Sequence, residues 1–297
     1  MKIAVLCFVH KDPYLVNTLV EQFLSVNKET DVYIHLDKKS ESIKHEIVSN
    51  PHVFFIKKNV SVTWGNDTMM KAMIFSLDEI FALNRDYDSF IICTGQDLIV
   101  RKGLDEFLEK NRDNIYLDAK DGKDNYYRKI LSHRFPRFLC KDIYHHAWYH
   151  PLRLIMAFYH RLIKYNLLPS RNTGFNVNSI KFYYSFNWSI MPYYVIKDCF
   201  HSFNENIGLK QLYFDTFLPE DAFLATIVMN SKYAGQVQWA SGNKTYTQTF
   251  HSPIHIHPKV FTVDDINEIS ESNCFFARKF DSLIDREVIN YYKKIIL

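Results

Sequence analysis

Ile3-Ala4-Val5-Leu6-Cys7-Phe8 is a nearly continuous apolar run, followed at once by Val9-His10-Lys11-Asp12-Pro13. A half-exposed strand would alternate apolar and polar residues. An unbroken run predicts a strand buried on both faces, as in a parallel sheet covered by helices. Asp12-Pro13 predicts a helix start, because the fixed φ of proline suits the first helical position. Leu15, Leu19, Val20 and Phe23 form the apolar stripe of that helix. Residues 32–36, closed by Asp37, predict a second strand, and 53–56 a third, weaker one. Asn66 or Asp67 is expected to cap a long helix with Met69, Met73, Leu77 and Ile80 on one face. Residues 89–93 form another apolar strand that ends in Thr94-Gly95-Gln96-Asp97. Strands and helices alternating over 1–118 predict an α/β fold with a mostly parallel sheet. Ligands of such sheets bind at the carboxyl ends of the strands, so the loops 9–13, 37–40 and 94–98 are the candidates.

Outside this half the pattern changes. Residues 120–180 are rich in Tyr, His, Arg and Lys and show no strand pattern. Within them Leu152, Ile155, Met156, Tyr159 and Ile163 repeat at helical spacing. Arg153, His160, Arg161 and Lys164 lie around the other side. Such a basic amphipathic helix either packs on the core or rests on an anionic membrane surface. From Tyr183 the α/β pattern returns: a strand at 186–191, a helix at 219–229 with two acids in its first turn, a helix opened by Thr262, and a final helix at 286–294. The expectation is one domain. It has a nucleotide-binding half (1–118), a helical insertion (120–180) and an acceptor and catalytic half (183–297).

Composition narrows the function. Across 297 residues the hydrophobic fraction is 47% and the net charge +3. That supports a sizeable core and gives no reason to expect a nucleic-acid partner. Five widely spaced cysteines, with no CxxC pair, argue against zinc and against a disulfide framework, and fit a reducing cytoplasm. No stretch of about 18 apolar residues suits a membrane span, and no signal peptide is read. GxGxxG, GxxxxGK[ST], GxSxG and HExxH are all absent. Only eight glycines are present, so side chains must hold any phosphate.

Six stretches occur in a shared order. They are 3–10 with Tyr33-Ile34-His35-Leu36-Asp37-Lys38-Lys39-Ser40; Val62-Thr63-Trp64-Gly65; Thr94-Gly95-Gln96-Asp97-Leu98; Ser185-Phe186-Asn187-Trp188-Ser189; Pro219-Glu220-Asp221-Ala222-Phe223-Leu224-Ala225-Thr226; and Phe275-Phe276-Ala277-Arg278-Lys279-Phe280-Asp281. Together they resemble the core-2/I-branching β-1,6-N-acetylglucosaminyltransferase family, which also contains peptide xylosyltransferases. The likeness covers nearly the whole chain outside 120–180 and is that of a bacterial-type member.

The resemblance implies a GT-A-like fold, a UDP-sugar donor, a glycan acceptor, and inverting transfer with no divalent metal or other cofactor. N-acetylglucosamine is the first donor sugar it suggests. Fixed cations can neutralise a departing diphosphate in place of a metal. By resemblance Lys279 is the main diphosphate ligand and Arg278 its helper. Related enzymes carry a second cation upstream, an arginine. The corresponding stretch here is His255-Ile256-His257-Pro258-Lys259, so His257 or Lys259 would substitute. His251, His255 and His257 alternate as they would on one face of a strand and so resemble a metal cluster, but no Asp or Cys ligand stands beside them. An inverting transferase needs one carboxylate base. The family order is Asp then Glu, and this chain has Glu220 then Asp221. Asp221 occupies the base position, with Glu220 as the alternative, and both would also suit a helix N-terminus.

Asp37 is expected to accept from the uracil N–H, and His10 to lie near the nucleotide. Trp64 and Trp188 are expected to wall the pocket, and Asp97, in the Gly95 turn, to contact the donor sugar or ribose. The animal relatives have membrane anchors and disulfides. Missing both signals, this chain reads as a cytoplasmic protein that works on bacterial surface polysaccharide. It would use a lipid-linked acceptor and make peripheral contact with the inner face of the membrane through 151–167. Two other classes stand beside this one: a sugar-binding protein without turnover, and a metal-dependent nucleotidyltransferase.

Overall fold

The computed structural model describes residues 1–63, 65–122, 150–165, 167–169, 174–185, 188–214, 216, 218–240, 244–245, 249–250 and 259–297. In chain order its strands are β1 (Ile3–Val9), β2 (Thr30–Leu36), β3 (Val53–Phe55), β4 (Ser89–Thr94), β5 (Asp97–Ile99), β6 (Tyr116–Leu117), β7 (Lys120–Asp121), β8 (Tyr183–Tyr184), β9 (Ser189–Pro192), β10 (Trp239–Ala240), β11 (Lys244–Thr245), β12 (Thr249–Phe250) and β13 (Phe276–Arg278). The helices are α1 (Pro13–Val26), α2 (Thr68–Ala82), α3 (Leu104–Lys110), α4 (His150–Lys164), α5 (Tyr193–Glu205), α6 (Ile207–Phe214), α7 (Glu220–Met229), α8 (Ile266–Glu271) and α9 (Arg286–Ile296).

The main sheet has the order β3-β2-β1-β4-β9-β6. β1 pairs in parallel with β2 and β4, while at the far edge β9 runs antiparallel to both of its neighbours, β4 and β6. All seven residues of β1 are buried. Ala4, Leu6 and Phe8 join one core with α2, α5 and α7; Ile3, Val5, Cys7 and Val9 join the other with α1 and α9. Side chains alternate between the faces of a strand, and both faces are covered, so neither can be polar. The α/β, GT-A-like fold class with a mostly parallel sheet is therefore the one observed.

Local expectations hold in detail around β1. Pro13 is at the first helical position of α1, and the Asp12 carboxylate accepts from the Leu15 N–H at 3.1 Å. Cys7 lies beside Cys93 in register, and both are buried free thiols. Thr262 forms a capping box with Asp265.

Three expectations change. Asp67 sits at the N-cap of α2 but makes no capping bond; its carboxylate is held one turn later by Lys71 at 2.7 Å. The segment 120–180 is not free of strands, since β7 pairs with β8. The strand expected at 186–191 is β9, at Ser189–Pro192.

A smaller sheet, β12-β13-β5, brings the late chain to the early one. β13 runs antiparallel to β5, with Arg278 opposite Asp97. Among the described residues no helix is long and apolar enough to cross a membrane.

Candidate active site

A cavity of about 630 Å³ opens at the carboxyl ends of β1, β2 and β4. This is where the ligand site of a parallel sheet is expected. Phe8, Val9 and His10 line it from β1 and the loop after it. His35, Asp37, Lys39 and Ser40 come from the end of β2, Thr94 and Gln96 from the end of β4, and Val62, Met69 and Arg278 complete the wall. A second cavity of about 550 Å³ between α5 and α7 contains Cys199, Phe203 and Asn230, and none of the site residues picked from the sequence.

Asp97 is the hub of one wall. Its carboxylate has no exposed surface. It accepts from the Thr94 N–H at 2.7 Å, the Thr94 hydroxyl at 3.0 Å, the Trp188 indole N–H at 2.9 Å and the Arg278 Nε–H at 3.2 Å. Burial raises its pKa against the opposing pull of Arg278. The Arg278 guanidinium also lies 3.9 Å from the centre of the Trp188 ring, a cation–π arrangement. Asp97 thus fixes Arg278 at the cavity wall and holds Trp188 against it. The two Asp97 oxygens meet four donors from the protein itself. The Gly95 turn is likewise a packing device. A Cβ at Gly95 would stand 2.9 Å from Val16 Cγ2 and 3.1 Å from Val9 Cγ2. The neighbouring Gln96, not Gly95, faces the cavity.

The opposite wall is laced together by loop-to-loop bonds. Asp37 Oδ1 accepts from the Lys39 N–H at 2.8 Å, and Lys39 Nζ lies 3.7 Å from Oδ2. The Ser40 hydroxyl donates to the His10 carbonyl at 2.6 Å, and Lys39 Nζ to the Val62 carbonyl at 2.6 Å. His35 is buried, and its Nε2 accepts from the Val60 N–H at 3.1 Å, which requires a neutral ring. Burial lowers its pKa in the same sense. His10 stands at the mouth with an exposed ring. Packing beneath it lowers its pKa first, then Lys11 and Lys279, with water tempering the effect.

Lys279 does not line the cavity. It is half-buried next to Arg278, and its pKa is lowered by burial, then by Arg278 and Lys11. Lys259, expected to stand in for an upstream arginine, is exposed and paired with Asp265, the acid of the Thr262 capping box. That pairing holds it at the start of α8, and it is not among the residues that line the cavity. His257, the His251 and His255 positions and Trp64 lie outside the described residues. Among the described residues no group of three His, Cys, Asp or Glu side chains could hold a metal ion.

The carboxylates of α7 reach the same end of the sheet by a second route. The Asp221 carbonyl accepts from the Ser185 N–H at 2.6 Å. Ser185 is three residues from Trp188, at most about 11 Å along the chain. Glu220 is 8% exposed and Asp221 more so, leaving Asp221 the more accessible acid. One step beyond the last β6–β9 pair, Asp118 and Trp188 follow on neighbouring strands. The Tyr184 phenol is pushed up to about 12 by burial, then by Asp221 and Asp118, so these acids share one neighbourhood.

Residues 3–271 match the family model of the core-2/I-branching enzymes. The chain belongs to the core-2/I-branching enzyme family. It is 23% identical over 278 residues to a xylosyltransferase of Ciona intestinalis, covering 87% of this chain and 30% of that protein. It is 26% identical over 283 residues to xylosyltransferase 2 of Mus musculus, covering 86% of this chain and 29% of that one, and the same figures hold for Homo sapiens. The chain thus spans about three-tenths of the length of these curated relatives. A solved structure, 4-diphosphocytidyl-2C-methyl-D-erythritol synthase of Anaerococcus prevotii, aligns with TM-score 0.32 and 10% identity over 71% of this chain and 82% of its own.

The family match ends at residue 271, short of the cation pair on and after β13. For this core-2/I-branching member the site therefore rests on geometry. The structure brings His10, Asp37 and Arg278 to one cavity, with Asp97 and Trp188 packed against Arg278, and it adds His35, Thr94 and Gln96, which sequence reading missed. Asp118 was also missed. An acid just past a two-residue strand has no spacing to mark it.

Proposed function

We propose that the protein is a glycosyltransferase that moves a sugar from a UDP-sugar to a glycan hydroxyl, with inversion and without a divalent metal. The observation that carries this reading is Arg278, held by Asp97 and Trp188 at the wall of a cavity at the strands' carboxyl ends. A guanidinium fixed in advance suits charge that develops on a leaving group. Uracil would sit toward Asp37 and His10. The acceptor hydroxyl attacks the anomeric carbon, the bond from that carbon to the phosphate oxygen breaks, and UDP leaves with the electron pair. The acceptor proton passes to Asp221, the more accessible acid, with Glu220 as the alternative.

N-acetylglucosamine is the donor sugar suggested by the branching enzymes, and the names of the xylosyltransferase relatives suggest xylose as the second candidate. The acceptor is assigned to bacterial surface polysaccharide on a lipid carrier, handled at the inner face of the membrane. Support for the membrane part comes from α4, whose Leu154 and Phe158 are 73% and 62% exposed. Residues 123–169 carry nine Lys or Arg against two Asp and no Glu, whereas the whole chain is only +3.

The deciding experiment is UDP release from a panel of UDP-sugars, with and without EDTA, for wild type and Arg278→Ala. Donor-selective release that survives EDTA and falls at least about 100-fold in the variant, the loss of one transition-state donor, supports the reading. Release abolished by EDTA would overturn the metal-free mechanism. UDP binding with no turnover on any acceptor would leave a sugar-nucleotide-binding protein.

A further inference from the structure

Positive charge next to the cavity extends beyond Arg278, which lines it, and the adjacent Lys279. Lys11 follows His10, which lines the cavity, in the loop leaving β1. That loop is pinned to the segment after β13. Asp12 accepts from the Ser282 N–H and from the Ser282 hydroxyl, each at 2.7 Å. The Lys11 ammonium rests on the Asp281 carboxylate. Asp281 is two residues past Lys279, no more than about 7 Å along an extended chain.

We propose that Lys11 is a third cation for the diphosphate of the donor, filling the place of the upstream arginine that this chain lacks. The proposal rests on the UDP-sugar reading above. Lys259, another cation offered for that place, is drawn to Asp265 at the start of α8.

The local charge favours it. Lys11 and Lys279 stand close enough that Lys11 disfavours the charge on Lys279, and both disfavour charge on His10. A fold that gathers cations in this way sets up a potential that an arriving anion relieves. Lys11 can take that part without breaking its own contact. An ammonium has three donors, so one can stay on Asp281 while another meets a phosphate oxygen. Its side chain is 43% exposed, against 10% for Asp281. Asp281 also keeps the Leu283 N–H at 3.0 Å, so it remains bonded wherever Lys11 points.

The test is calorimetric titration of UDP into wild type, Lys11→Ala, Lys11→Arg and Asp281→Asn, with a melting curve of each ligand-free protein to establish folding. Lys11→Ala is expected to lose about 10- to 100-fold in UDP affinity, the scale of one charge-assisted hydrogen bond. Lys11→Arg should stay within about 3-fold of wild type, since charge is retained. Asp281→Asn should bind UDP as tightly as wild type or more tightly, because it removes a competing carboxylate and keeps the cation. If Lys11 serves only to tie the loop to Asp281, Lys11→Ala and Asp281→Asn lose affinity alike, and the proposal is overturned. It is equally overturned if Lys11→Ala binds within about 2-fold of wild type. Wild type that binds no UDP would remove the donor reading and this inference with it.

Discussion

At the scale of single residues, Asp97 joins three elements with one carboxylate: the turn after β4, Trp188 ahead of β9, and Arg278 on β13. Breaking a buried ion pair leaves its partner uncompensated and costs several kcal/mol. Asp97→Asn is therefore expected to lower stability by about 3 kcal/mol in urea denaturation and to slow UDP release, because Arg278 loses its anchor. A loss below about 1 kcal/mol would show that the surroundings already neutralise Arg278 without Asp97. Asp97 could be picked from the sequence because it ends an apolar strand, but its role could not. Whether an acid faces a ligand or an arginine 181 positions away depends on pairing that no local pattern carries. His35 is a fair contrast. A histidine within the apolar stretch Tyr33-Ile34-His35-Leu36 is a buried polar group in need of a partner, and that signal was available. For Lys11 there was none, since a lysine in a loop is ordinarily solvated.

Among the elements, α4 is where sequence and structure diverge most usefully. Of the stripe Leu152, Ile155, Met156, Tyr159 and Ile163, Ile163 is buried and Leu152 and Tyr159 are half-buried, but Ile155 is 61% exposed. The Met156 side chain lies outside the described residues. The exposed apolar face is formed instead by Leu154, Ile155 and Phe158, continued past the helix by Leu167. A patch of this kind beside a basic segment suits an interface of anionic headgroups and acyl chains. The protein is expected to float with vesicles containing anionic lipid and much less with neutral ones. Leu154→Ser combined with Phe158→Ser should reduce flotation several-fold while leaving the melting temperature in place. Indifference to anionic lipid would remove the membrane assignment. Elsewhere, long elements with a clear period were readable: α1, α2, α7 and α9 all start within a residue or two of where caps and apolar spacing put them. β5, β6, β7 and β13 were not, because two or three residues cannot display a period of two and their partners are distant.

For the whole molecule, stability should respond to pH in two steps. His10 and His35 have lowered pKa values, burial first in both cases, so the unfolded chain binds more protons below about pH 6.5 and stability is lost as pH falls through that range. For Asp31, Asp265 and Asp281 burial would raise the pKa, but hydrogen bonds and cations outweigh it and lower the value. Their stabilisation is complete above about pH 4 and is lost below it. Asp97, raised by burial, works in the opposite sense and softens the second step. A melting temperature that is flat above about pH 7 and falls in two stages is expected. His35→Gln, which keeps an acceptor for the Val60 N–H, should shrink the first stage. A single transition near pH 4 in wild type would count against the histidines.

Asp12 and Ser282, bonded to each other, are 270 positions apart, and Gln22 likewise holds the carbonyls of both Ile99 and Tyr292. Ribosomes deliver these parts at different times. At about 5–20 residues per second, the first loop emerges roughly 14–54 s before the segment that completes its cation wall. The central parallel strands can pair during that interval, but the cavity wall that carries Arg278 cannot form until β13 and the segment after it have emerged. A chain that stops before β13 is therefore expected to hold the β1, β2 and β4 side of the cavity without Arg278.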